Sequence, residues 1–231
     1  MTINRKILLG ASLALAALGV AGTASAAQVL STKYDTPNGD GNTAGGTFNY
    51  WDKSYSGSGS TTTDGAALTG GSGDLTDGIL AGGQWNTVEN SAGEGPYVGW
   101  RSVGTLNPLL TFYFSGSPVI NTIKVHLDNS GFGGVFSPSS ILVNGVAQSF
   151  TGPTLGSIGW ASITGLNLTG GSHTIQLNQN APGNWVFASE VAFESGAVPE
   201  PATWLMMIAG FGLVGGAMRR GKGQQPRQVR I

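Results

Sequence analysis

Apolar and polar side chains alternate over the middle of the chain. In LLTFYF, Leu110, Phe112 and Phe114 fall on one face of an extended segment. After the turn at Ser115 to Pro118, Val119, Ile123, Val125 and Leu127 share another face and leave Lys124 and His126 pointing the opposite way. ILVNGVAQSF sets Asn144-Gly145 between two short apolar runs, the residue pair that a two-residue hairpin favours because both central positions take positive φ. SHTIQL and NWVFASEVAF follow as strands, the second placing Phe187, Val191 and Phe193 on one side. No helical period of useful length occurs between these ends. Short strands punctuated by Gly and Pro predict an all-β chain, an antiparallel β-sandwich or jelly roll.

Upstream the pattern is weaker. DTPNGDGNTAGG (Asp35 to Gly46) and SYSGSGSTTTDGAALTGGSG (Ser54 to Gly73) are turn-rich and flank one aromatic patch, Phe48, Tyr50 and Trp51. This predicts a strand, a long loop, and order resuming near Leu75. The body is therefore set at 27–197 with its ordered core at about 74–194.

The two ends have a different pattern. Arg5-Lys6, an apolar run from Ile7 to Val20 and the small pair Ala24 and Ala26 form a secretory signal peptide over 1–26, cleaved after Ala26. At the other end Pro199-Glu200-Pro201 precedes fifteen uncharged residues, Trp204 to Met218, and then Arg219-Arg220. At ~1.5 Å per residue that run covers about 22 Å against ~30 Å of hydrocarbon, so a spanning helix over about 202–218 needs Ala202, Thr203 and the arginines to complete it. Basic residues after such a helix stay cytoplasmic, which places the body outside. Gly212 and Gly216 form a G-x-x-x-G spacing that lets a second helix approach.

Composition narrows the function classes. The chain has 231 residues, 39 glycines, no cysteine and 10% charged residues, which argues against disorder and against several domains. From Ala27 to Val198 four basic residues (Lys33, Lys53, Arg101, Lys124) face eleven acidic ones, while the remaining basic residues sit at the two ends. An acidic body with scattered lysines argues against a nucleic-acid interface, which needs a clustered basic surface. Without cysteine, an exported chain must gain its stability without disulfides.

VPEPATW, the apolar Gly-rich segment and MRR together resemble the PEP-CTERM sorting signal in its PEPxxW variant, found on exported proteins of Gram-negative, exopolysaccharide-forming bacteria. The resemblance implies that Pro199, Glu200, Pro201, Trp204, Arg219 and Arg220 carry the motif. It also implies that an exosortase-type membrane enzyme cuts near Pro-Glu-Pro, releasing the body or attaching it at the surface. Two prolines suit that role because they prevent helix continuation. The tail GKGQQPRQVRI is longer than the short basic end usual in such signals.

The body resembles a discoidin-type, galactose-binding-like jelly roll of the F5/8 type C kind. The matching elements are LTDG (Leu75 to Gly78), Trp85, LTFYF, VINTIKVHLDN, GGVFSPSSILVNG and NWVFASEVAF. The resemblance implies a structural calcium between the Asp-Gly loop and an acid on the last strand, here Asp77 and Glu190 with Asp74 as a further ligand. Calcium takes six to eight oxygens, so carbonyls and water would complete the shell. A second stretch, NGDGN (Asn38 to Asn42), lacks the Gly and closing Glu of an EF-hand loop and reads as a solvated turn.

Nothing marks a catalytic centre. There is no G-x-S-x-G, His126 is read as a surface residue and His173 as a turn residue, and no acid pair stands out by context. Aromatics are the better clue. Trp51, Trp85, Trp100, Trp160 and Trp185 join Tyr97, Phe132 and Phe136, several of them in the loop-like segments GEGPYVGW and NSGFGGVF. Flat rings pack against the C–H faces of sugars, and they serve equally well in a sandwich core. Trp85, Tyr97, Trp100, Phe132 and Phe136 are the candidate ligand contacts. The expectation is an exported, non-enzymatic surface or matrix protein that contacts polysaccharide or another envelope component. One alternative is a structural adhesin that self-associates through sheet edges; another is a glycan-active hydrolase, which would need a defined acid pair in one cleft.

Overall fold

Leu110, Phe112 and Phe114 point inward from a strand near the centre of one of two antiparallel sheets. The computed structural model describes residues 26–41, 48–196 and 201–220. In chain order the elements are β1 (Gln28–Val29), β2 (Ser31–Pro37), β3 (Ala67–Gly71), α1 (Trp85–Val88), β4 (Val98–Arg101), β5 (Leu109–Phe114), β6 (Val119–Ile120) and β7 (Thr122–Asn129). After a 3₁₀ turn at Phe132–Gly134 come β8 (Ser140–Val143), β9 (Val146–Gln148), β10 (Ser157–Ile163), β11 (Leu168–Thr169), β12 (Ser172–Asn178), β13 (Trp185–Glu194) and α2 (Pro201–Arg220). One sheet runs β3-β2-β5-β12-β8-β9. The other runs β1-β13-β7-β10, with β4 also paired to β13, and β6 and β11 form a small ribbon. Inward rows from both large sheets, among them Leu110, Phe112, Ile123, Val125, Leu127, Ile175, Leu177, Val191 and Phe193, form the main core of this all-β sandwich. Residues 26–196 make up one compact unit.

The β8–β9 hairpin forms as the Asn-Gly pair predicts: Val143 pairs with Val146, and Asn144 and Gly145 take φ of 50° and 78°. Elsewhere the pattern is corrected. β13 carries a register shift between Ala188 and Glu190. The extra residue flips the inward set, so Phe187 joins a separate aromatic cluster while Val191 and Phe193 face the main core. His126 is buried, not a surface residue, because the loop before α1 crosses its face: Ala81 donates its N–H to Ser189 Oγ, which lies 2.7 Å from His126 Nδ1. His173 is a buried residue of β12, with Nδ1 3.1 Å from Asn144 Nδ2, and not part of a turn.

Order also begins well before residue 74. β2 and β3 are full members of the six-stranded sheet, and Tyr34, Tyr55 and Leu68 belong to the main core. Two register shifts in β2 break its alternation, which hides the strand from a period-2 reading. The fully buried Asp52 ties this region together by accepting the Tyr34 hydroxyl and the Asp74 N–H.

Of the export segments, the apolar run and Ala24 lie outside the described residues, as do Pro199 and Glu200, and Ala26 is the first residue described. α2 begins on Pro201, a favoured first helical position, and includes Trp204, Arg219 and Arg220. Met207, Ile208, Phe211, Leu213 and Val214 are exposed. Among the described residues no helix is long and apolar enough to cross a membrane.

Candidate functional site

Loops 82–88, 130–136 and 153–157 meet at one end of the sandwich over an aromatic cluster of Tyr50, Trp85, Tyr97, Trp185 and Phe187. The rings brace one another. Tyr50 lies 4.6 Å from Phe187 and 5.1 Å from Trp185, and Trp85 meets Tyr50 edge-on at 5.7 Å. Above this cluster Phe132 is 58% exposed and stacks on Trp85 at 5.8 Å with an interplanar angle of 30°.

That exposed ring is held by short-range geometry. Asp128, fully buried at the end of β7, accepts the Trp85 N–H and the Ser130 N–H, each at 2.7 Å. Trp85 Nε1 then donates to the Phe132 carbonyl at 3.1 Å. Gly133 sits at φ 65°, where a Cβ would lie 2.8 Å from Trp85 Cζ2, so only glycine brings the turn this close. Leu155, 69% exposed, reaches toward Gly131, and Gln84 Nε2 donates to the Gly156 carbonyl. The arrangement presents a fixed apolar ring on a rigid base, beside polar backbone and amide groups.

The remaining candidate aromatics separate into base and core. Trp85 is buried and supports Phe132. Phe136 is half-buried beside Gly131. Tyr97 is fully buried, its hydroxyl donating to the Gly83 carbonyl, and burial pushes its pKa far up. Trp100 is fully buried in β4 and donates Nε1 to the Pro37 carbonyl. Both are corrected from loop contacts to structural residues, since a ring without solvent access cannot stack on a ligand. Leu155 and Asp128 escaped the sequence reading. Asp128 followed two residues later by Ser130 is a turn signature that would have found the anchor.

Two of the acids proposed for calcium share a cleft and the third lines another. Asp77 and Glu190 line one cleft of about 180 Å³, while Asp74 lines another of about 260 Å³. Glu190 Oε2 accepts the Gly78 N–H and Asp77 Oδ1 accepts the Ile79 N–H, each at 2.8 Å. Thus the Asp-Gly turn is closed onto β13 by a direct hydrogen bond. Among the described residues no group of three His, Asp or Glu could hold a metal ion. Burial raises Glu190 to about 7 and Asp74 to about 7, the latter also through the charge of Asp52. His126 and Ser189 are close enough to share a proton, but Ser189 is fully buried and also accepts the Ala81 N–H, so no nucleophile reaches solvent there.

The two-sheet antiparallel sandwich is a discoidin-like jelly roll. The chain belongs to the family of the discoidin domain-containing receptor 1/2, DS-like domain, which matches residues 31–152, and it carries the PEP-CTERM protein-sorting motif at residues 197–222. That motif marks an exported, membrane-processed protein. No curated protein matches the chain. Similar solved structures include a truncated AlyQ with CBM32 and alginate lyase domains, at 13% identity and TM-score 0.39, covering 75% of this chain and 34% of that one. The family 32 CBM of C. perfringens NanJ in complex with galactose has 16% identity and TM-score 0.33, covering 54% of this chain and 88% of that one. A fucolectin from striped bass (Morone saxatilis) serum has 10% identity and TM-score 0.37, covering 75% of this chain and 80% of that one. The chain thus spans about a third of the length of the first of these structures.

Proposed function

We propose that this protein is a non-catalytic polysaccharide-binding protein of the cell surface or extracellular matrix of a Gram-negative bacterium, delivered there by exosortase-type processing. The observation that carries the binding reading is Phe132, an exposed ring stacked on a buried tryptophan and fixed by Asp128 and Gly133. A ring held rigid at the surface gives a sugar face an apolar surface to pack on. The sorting motif supports the location, because it directs the chain to the compartment where exopolysaccharide is found.

The self-associating alternative receives less support. Thr69 of β3 bridges to Ser58 and Ser162 of β10 bridges to Thr151, so loop residues already occupy part of one outer edge of each large sheet. The test is affinity electrophoresis of the full-length chain in gels containing exopolysaccharide from the source strain. Retardation of the wild type, lost in Phe132→Ala at unchanged melting temperature, is the expected result. Equal mobility of the two proteins in the presence and absence of polysaccharide would remove the reading.

A further inference from the structure

Phe132 stands at one end of a row of groups that crosses the loop end of the sandwich, and Arg101 stands at the other. Trp185 lies between them: on one side it bridges to Val135, just after the Phe132 turn, and on the other it pairs with Arg101 of β4. Ring contacts run from Phe132 through Trp85 and Tyr50 to Trp185, and the Arg101 guanidinium lies over the Trp185 ring, 5.7 Å from its centroid. Asn184 occupies the same interval. Its carbonyl accepts the Ser102 N–H, and its Oδ1 lies 3.7 Å from the position that a Cβ on Gly134 would take.

Two of these groups hold unused donors. Arg101 is exposed and makes no ion pair among the described residues, whereas Lys53 pairs with Glu94, Lys124 pairs with Glu194 and Lys33 lies over Tyr113. Asp40 leaves the guanidinium unpaired because it is turned to other donors: its oxygens accept the Arg101 backbone N–H, the Thr105 N–H and the Thr105 hydroxyl. Contact with a ring face consumes none of the five guanidinium N–H donors. The Asn184 side-chain amide likewise has no hydrogen bond among the described residues.

We propose that Arg101 binds the carboxylate of a uronic acid in the glycan whose sugar face packs on Phe132, with Asn184 bonding a hydroxyl between them. The proposal rests on the reading that Phe132 binds polysaccharide, and it names the class: a uronate-bearing chain. An apolar ring, an amide and a guanidinium in one row match the apolar faces, hydroxyls and carboxylates that such a chain repeats along its length. The guanidinium fork takes a carboxylate through two parallel N–H bonds. A nucleic acid is the wrong polyanion, because its binding needs many clustered cations and here a single guanidinium stands in an acidic body. That acidity also keeps indiscriminate attraction of polyanions low, so any preference for carboxylate is a local property of this row.

Two polymers test this with the full-length chain in affinity gels: exopolysaccharide from the source strain, and the same material after chemical reduction of its uronate carboxyls to primary alcohols. The native polymer is expected to bind at least about tenfold more tightly, the worth of one charge-assisted hydrogen bond. Arg101→Gln, at an exposed position, is expected to weaken binding of the native polymer by a similar factor and to bind the reduced polymer as the wild type does. A merely structural role for Arg101 would weaken both alike. Lys33→Gln removes the same charge from β2 in the other sheet and is expected to keep the wild-type preference. Equal binding of the two polymers by the wild type, or equal loss on both in Arg101→Gln, would overturn the subsite. If both polymers are then still bound through Phe132, the general reading stands and only the carboxylate subsite fails; if neither retards the chain, both fail.

Discussion

At the residue scale, one exposed ring depends on several buried groups. Gly133 is the most sensitive of them. Its φ of 65° and the 2.8 Å approach to Trp85 mean that Gly133→Ala strains the backbone and displaces the indole together. A loss of about 1–3 kcal/mol is expected in chemical denaturation, accompanied by weaker polysaccharide binding. The candidate aromatics show why residue type alone was an incomplete guide. Trp100 and Tyr97 stand in a glycine-rich stretch that reads as loop, yet β4 and the packing around Phe187 place both inside. Whether a loop ring faces solvent is decided by what crosses above it, and that partner comes from residues far away in the chain. Phe132, by contrast, was legible because its surrounding glycines cannot bury it locally.

At the element scale, strands with unbroken alternation were legible and strands with bulges were not. β5, β7 and the β8–β9 hairpin follow period 2 or a strong turn pair. Gly145, at φ 78° with nothing near its Cβ position, isolates the turn's backbone requirement from packing. Gly145→Ala is expected to cost about 1 kcal/mol, a fall of about 2–4 °C in melting temperature, without altering binding. β2 and β13 were misread for the same reason as each other, since one extra residue reverses which side chains face the core. The consequence for β13 reaches the proposed site. Its shift sends Trp185 and Phe187 into the aromatic base under Phe132 while Val191 and Phe193 remain in the main core.

For the whole molecule, the body is acidic and several of its acids are held out of water. Burial raises Asp52 to about 6, Asp74 and Glu190 each to about 7, and Glu89 to about 8. Each folded-state value lies above the ordinary carboxylate range, so the folded chain binds more protons than the unfolded chain between roughly pH 4 and 8. Stability is therefore expected to fall as pH rises through that window, and melting curves should peak near its acidic end. Asp74→Asn removes one of these groups and should flatten the dependence; a melting temperature that rises steadily from pH 5 to 8 would contradict this assignment. These burials could not be read in the sequence, where Asp52, Asp74 and Glu89 sit among turn residues that ordinarily face solvent.

The proposed sugar-binding ring, Phe132, stands on a discoidin-like body that carries a sorting motif. Isothermal titration of purified exopolysaccharide into the full-length chain and into Phe132→Ala tests this most directly. Saturable binding to the wild type that drops at least about tenfold in the variant is the expected result. Identical heats for the two proteins, whether both bind or neither does, would contradict it.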